Sequence, residues 1–409
     1  MKELTGPFAQ LLGLEGLILK GAISDSTLQI TVDAGIITEG GYIVETGNFE
    51  ILRRRNPGIE IREIFGPQVV MPGFTDAHTH LLFGGSRAAD YALRIAGKSY
   101  IEIAAAGGGI WDTVLRTRDT ADQLLLAGLG TRLRVQLQGG ITTTEIKTGY
   151  GLNAAQELRM LDLISLAGVS SVQDLVTTCL AAHLRPRDFP GNAGSYLEYL
   201  VRELLPALPG RGCNRVDIFV EEGAFTLSEA RMYLRATTAL GFDCTIHADQ
   251  FTTGGSELAV EMHARSADHL EASTLREIEL LAGSRTAATV LPGASMGLGM
   301  KNAPARALLN AGASLVIASD WNPGSAPMGN LLMQASVLGA AEKLTAAEVY
   351  AALTFRAAAA LGLSDRGKLA TGMLADFQAF PVSDHREILY HQGMLKPVSV
   401  WKRGVRHQL

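Results

Sequence analysis

The chain has 409 residues, 47% of them hydrophobic and 19% charged, with 45 glycines. Its 36 basic and 41 acidic side chains leave a formal charge of −5, spread without long runs, which excludes the broad basic footprint of a nucleic-acid binder. Three cysteines, Cys179, Cys213 and Cys244, make no CxxC pair, so no disulfide framework or thiolate zinc knuckle is expected, and a reducing, cytoplasmic setting fits.

The N-terminal apolar stretch is broken by Gly13, Glu15 and Gly16 and has no small-residue cleavage site, so it does not read as a secretion signal. No apolar run reaches the roughly 18 residues of a membrane span. Residues 1–70 read as short strands and turns, with β-favouring runs at Leu17–Leu19, Leu28–Val32 and Tyr42–Val44. From there to about residue 360, apolar runs (Val69–Met71, Gly140–Thr143, Val216–Val220, Cys244–Ile246, Leu315–Ala318) alternate with helical segments such as 155–167 and 228–239. Repeated βα units on this scale predict a closed (β/α)8 TIM-type barrel. An open doubly wound sheet would carry a phosphate-binding glycine fingerprint; Gly107-Gly108-Gly109 fits neither such pattern and reads as a flexible loop before a helix. The chain then returns to strand texture at Ala375–Phe380 and Val398–Trp401. The α/β architecture expected is a catalytic barrel over residues 71–361 and a small β-sandwich domain built from both chain ends, 1–70 with 362–409.

In such a barrel the chemistry sits where strands end. The first unusual strand end is PGFTDAHTH. Residues i and i+2 of a strand share a face, so His78 and His80 both point inward. Further strand ends bring His247, in HADQ, then His269, in ADHL, and finally the carboxylate of Asp320. Three or four imidazoles with one carboxylate make a nitrogen and oxygen donor set that suits a divalent ion, zinc or ferrous iron. His183 ends another strand and reads as a site residue. His263, in a helical segment, and His385, His391 and His407, in the C-terminal strand region, are expected elsewhere. Arg116 and Arg118 read as a solvated helix face, and Lys147 as a structural ion pair.

This order of motifs resembles the amidohydrolase superfamily and, within it, the imidazolonepropionases. The segments that carry the likeness are 72–85, 106–118 (AGGGIWDTVLRTR), 140–152 (GITTTEIKTGYGL), 246–250 with 267–270, and 320–325 (DWNPGS). The resemblance implies one divalent ion, Zn2+ or Fe2+, held by His78, His80, His247 and Asp320. It implies substrate contacts from Arg87, Tyr150, His183, Gln250, Asn322, Gly324 and Ser325, with Asp320, His269 and Gln250 in the chemistry. The implied reaction opens the ring of 4-imidazolone-5-propanoate, in histidine degradation, by attack of metal-activated water on the amidine carbon. A deaminase or a hydrolase of another cyclic amidine from the same superfamily is the alternative. The implied partner is a small molecule, with no nucleic acid or membrane, and the implied state is a homodimer. Two features depart from the family pattern. Trp321 stands where a small residue is usual, and Leu291–Arg306 keeps LPGA and then diverges, leaving open whether they shift specificity.

Overall fold

The computed structural model describes residues 2–98, 102–103 and 107–408; Ala106, which opens the AGGG stretch, lies outside them. Strands β1 (Glu3–Leu12), β2 (Ile30–Glu39), β3 (Tyr42–Asn48), β4 (Glu60–Glu63) and β5 (Val69–Pro72) open the chain. The middle supplies β6 (Phe74–Asp76), β7 (Ile141–Lys147), β8 (Asp174–Ala182), β9 (Arg215–Phe219), β10 (Asp243–Ala248), β11 (Ser266–His269), β12 (Ala287–Val290) and β13 (Leu315–Ile317). The end adds β14 (Phe377–Phe380), β15 (Ser399–Lys402) and β16 (Val405–Gln408).

The terminal strands form one mixed sheet in the order β16-β15-β14-β5-β1-β2-β3, with β4 beside β1. The sheet curls back on itself, because Ile43 of β3 exchanges backbone hydrogen bonds of 2.8 Å with Met373 and Gly372, just ahead of β14. Its concave face buries Phe8, Leu11, Ile36, Val70, Phe377 and Trp401, with the last two rings stacked at 4.6 Å. Two readings are corrected here. Leu17–Leu19 is not a strand: its carbonyls are taken by side chains instead, Ile18 O by Arg356 (3.1 Å) and Leu17 O by Lys368 (3.1 Å). The run Val69–Met71 belongs to the terminal sheet, where β5 pairs with β1 and β14.

Strands β6 to β13 lie side by side in chain order, each pair parallel. The barrel closes above its first and last strands, where Asp320 N donates to His78 O and His80 N to Trp321 O, both at 3.0 Å. Helices cover the outside, as parallel strands buried on both faces require. Helix Ala154–Ser170 is capped by Asn153 and helix Leu227–Ala239 by a Thr226/Glu229 capping box. An ion cluster joins the N-terminal end of the barrel to the terminal sheet. Asp174, at the start of β8, accepts hydrogen bonds from Arg366 (2.5 Å) and Lys402 (2.8 Å). The opposite, C-terminal end of the barrel is thereby left open for a site. All three cysteines are free and buried.

Candidate active site

Strand alternation places His78 and His80 on the inner face, as their spacing predicts. Beyond β10, β11 and β13 the alternation is broken by left-handed backbone at Asp249 (φ +54°), His269 (φ +93°), Leu270 (φ +74°) and Asp320 (φ +50°). Residues with Cβ adopt this region rarely and at a cost, and such positions gather at functional sites. Here the turn at His269 lets consecutive residues face inward. Asp268 reaches His78 at 2.7 Å, while His269 lines the cavity.

Five side chains converge on the cavity floor, all nearly inaccessible to solvent: His78, His80, His247, His269 and Asp320. His80 Nε2 lies 3.4 Å from both Asp320 Oδ1 and His247 Nε2, and His78 Nε2 lies 3.6 Å from the same Asp320 oxygen. Donors about 2.0–2.1 Å from a tetrahedral ion are separated by about 3.3 Å, so this spacing fits one ion. His78 Nε2 is buried without a hydrogen-bond partner, which a buried ring nitrogen tolerates only if something else binds its lone pair. Donor atoms of His269 also lie within 4.8 Å of those of His78 and His247. Burial pushes the imidazole of His247 down to about 4 and that of His78 well below its ordinary value. Both rings are therefore neutral at pH 7, the form that ligates a metal.

A cavity of about 640 Å³ rises from this floor, lined by His183, Tyr150, Arg87, Gln250, Asn322, Gly324 and Ser325 among others. His183 stacks on His80 at 5.6 Å, faces Gly149 O through Nδ1 at 3.0 Å, and is pushed down to about 3, mainly by burial. Asn322 organises the last loop. Its Nδ2 donates to Asp320 O (2.7 Å) and Ser325 Oγ (2.8 Å), and its Oδ1 accepts from the backbone N–H of Gly324 and Ser325. Ser325 Oγ then donates to Asp320 Oδ2 at 3.2 Å. Arg87 is buried; its Nε donates to Asp90 Oδ2 (2.5 Å) and its Nη1 to Thr113 Oγ1 (3.3 Å). Gly109 N donates to the same Asp90 oxygen (2.9 Å), and a Cβ on Gly108 would sit 2.5 Å from Asp90. The glycine run thus packs against the Arg87–Asp90 pair and leads into helix Ile110–Asp119.

Other sequence readings resolve plainly. Lys147 is a buried ion pair, 2.9 Å from both Glu145 and Asp217. His263 is exposed and follows helix Gly255–Glu261 in left-handed backbone rather than lying within it. Arg118 is not a solvated residue: it donates to Gly151 O (2.7 Å) and pairs with Asp188. Trp321 does not line the cavity; its ring belongs to the apolar cluster of Leu81, Leu82, Phe83 and Tyr150 behind the wall. The 291–306 segment does reach the site. Leu298 lines the cavity, and Ser295 Oγ donates to Glu271 (2.9 Å), whose other oxygen lies 3.6 Å from His269 Nδ1. Asp90, Asp217 and Glu271 are contacts that the sequence reading does not name. For Asp217 the signal was present, a carboxylate interrupting the apolar run Val216–Val220.

The sequence matches the model of the Amidohydrolase family over residues 112–406. It is 38% identical to an imidazolonepropionase from Bacillus velezensis, over 97% of this chain and 94% of the relative. It is 40% identical to one from Rubrobacter xylanophilus, over 92% of this chain and 91% of that one. Among solved structures, a zinc complex of atrazine chlorohydrolase from Arthrobacter aurescens shares the fold with a TM-score of 0.74 at 17% identity, over 99% of this chain and 94% of that one. A zinc-bound adenosine deaminase from Xanthomonas campestris does so with a TM-score of 0.69 at 16% identity, over 100% and 93%. The chain therefore belongs to the amidohydrolase family and, within it, to the imidazolonepropionases.

Proposed function

We propose that this histidine-degradation hydrolase adds water to the ring carbonyl carbon of 4-imidazolone-5-propanoate and breaks its bond to the adjacent ring nitrogen, with His78, His80, His247 and Asp320 holding one Zn2+ or Fe2+. Attack at the amidine carbon is corrected here, because the product, N-formimidoyl-L-glutamate, keeps the N–CH=N unit intact and gains a carboxylate. The observation that carries the reading is the donor spacing of 3.4–3.6 Å on the floor of a cavity with a buried arginine in its wall. When bound, a divalent ion supplies Lewis acidity and lowers the pKa of a coordinated water to roughly 7.

The chain's own groups do the rest. Asp320 Oδ1 faces the imidazoles, and Oδ2, held by Ser325, takes a proton from the attacking water and returns it to the departing ring nitrogen. Gln250 has no basic atom, so it orients the ring or the water by hydrogen bonds, and His269 stands beside them. Arg87 receives the propanoate through Nη2, since Asp90 holds Nε and Thr113 holds Nη1. Tyr150 and His183 flank the ring, and Asn322, Gly324 and Ser325 close the last loop over it. We place the enzyme in the cytoplasm as a homodimer; among the described residues no helix is long and apolar enough to cross a membrane.

The test incubates zinc-loaded protein with freshly generated 4-imidazolone-5-propanoate and identifies the product by mass spectrometry, with His78→Ala as control. Formation of N-formimidoyl-L-glutamate that disappears in the variant is the expected result. Release of ammonia at this step would instead indicate a deaminase, and no conversion would send the search to other cyclic amidines.

A further inference from the structure

Behind the donor cluster lies a second set of charges. Asp268 Oδ2 is hydrogen-bonded to His78 Nδ1 at 2.7 Å, and Asp217 Oδ2 lies 3.0 Å from His247 Nδ1 in a charge contact that misses hydrogen-bond angles. Lys147 sits between the two carboxylates, its Nζ 2.9 Å from Asp217 Oδ2 and 3.7 Å from Asp268 Oδ2, with Glu145 also at 2.9 Å. All four side chains are buried, exposed by 1% or less.

A neutral imidazole carries one N–H and one lone pair, and the partner of one nitrogen decides which is which. A carboxylate at Nδ1 takes the N–H and leaves the lone pair on Nε2. In both His78 and His247, Nε2 is the atom that faces the donor cluster. The strands make this possible. β9, β10 and β11 are neighbours, His247 lies opposite Asp268 in the β10–β11 ladder, and Asp217 lies opposite Thr245, two residues before His247.

We infer that Asp217 and Asp268 are positioning residues for metal binding, fixing His247 and His78 through Nδ1 so that each presents Nε2 to the ion, with Lys147 tying the two carboxylates together. They touch neither substrate nor ion. Each also adds negative charge near the dication, so orientation and electrostatics both predict weaker binding when one is removed. The inference rests on the metal-site reading above.

Zinc affinity, measured by competition with a chromogenic chelator, is compared among the wild type, Asp217→Ala, Asp268→Ala and Asp174→Ala. The thermal midpoint of each metal-free protein is recorded alongside. Asp217→Ala and Asp268→Ala are each expected to bind zinc about 10- to 100-fold more weakly, whereas Asp174→Ala loses stability with unchanged affinity. Wild-type affinity in folded Asp217 and Asp268 variants overturns the inference, as does an equal loss in Asp174→Ala. If an alanine variant fails to fold, Asp217→Asn or Asp268→Asn, which removes the charge at constant volume, is read by the same criterion. A wild-type protein with no zinc affinity refutes the metal-site reading itself.

Discussion

Replacing Arg87 by alanine should separate substrate recognition from stability. In the structure Arg87 is only 5% exposed at its side chain, with Nε on Asp90 and Nη1 on Thr113, so Nη2 is the edge left to meet a carboxylate in the cavity. A charge-assisted hydrogen bond contributes about 1.5–3 kcal/mol, so KM should rise about 10- to 140-fold with kcat little changed. Stability changes for a different reason. Among the described residues, Asp90 keeps only the Gly109 N–H once its cation is gone, and breaking a buried pair costs about 3–5 kcal/mol. The double variant Arg87→Ala/Asp90→Ala removes the orphaned charge, so its thermal midpoint should recover toward the wild type while KM stays high. Steady-state kinetics of ring opening and thermal melts on the three proteins make the measurement. A wild-type KM in Arg87→Ala refutes the recognition role, and a KM restored in the double variant shows that the defect came from Asp90.

The ion cluster at Asp174 predicts an acid-sensitive joint between barrel and terminal sheet. Burial raises the Asp174 carboxyl, but the hydrogen bonds and charges of Lys402 and Arg366 outweigh it and hold it at about 2. A depressed folded-state value means the stabilisation is complete above the unfolded value near 4 and is lost as pH falls toward 2. Asp174→Asn should therefore be less stable than the wild type at neutral pH by on the order of 1–2 kcal/mol after solvent screening, seen as a lower thermal midpoint, and the gap should close between about pH 4 and 2. A constant gap across that window would refute the assignment. Trp321→Phe should lower the thermal midpoint but leave KM unchanged, because the ring is buried in the apolar cluster and does not line the cavity; a raised KM would place it in the substrate pocket. Gly329→Ala should cost about 2–5 kcal/mol from left-handed strain and overpacking. The residue has φ +58°, and its Cβ would meet the Trp321 ring at 2.2 Å. Activity should fall with it as Asp320 and Asn322 shift, and full retention of both stability and activity would contradict this packing.

Much of the site was legible because strand geometry is local. His78 and His80 share a face by their spacing alone, and each later strand end announced itself through a polar residue closing an apolar run. β1 went unread because Gly6 and Pro7 interrupt its pattern, and Leu17–Leu19 misled because β propensity says nothing about who pairs with the backbone. For Trp321 the sequence shows only a large residue where a small one is usual; that its ring joins the apolar cluster of Leu81, Leu82 and Phe83 depends on segments more than 230 positions away, which no local pattern encodes.

By itself the sequence determined which residue types stand at the strand ends, the alternation of βα units, and the donor set that suits a divalent ion. Only the tertiary structure decided how those donors are held. The bond between His78 and Asp268 spans 190 positions, and the pairing of Asp174 with Lys402 spans 228. Contacts of that range arise when the barrel closes and the two chain ends meet in one sheet, and no local pattern encodes them.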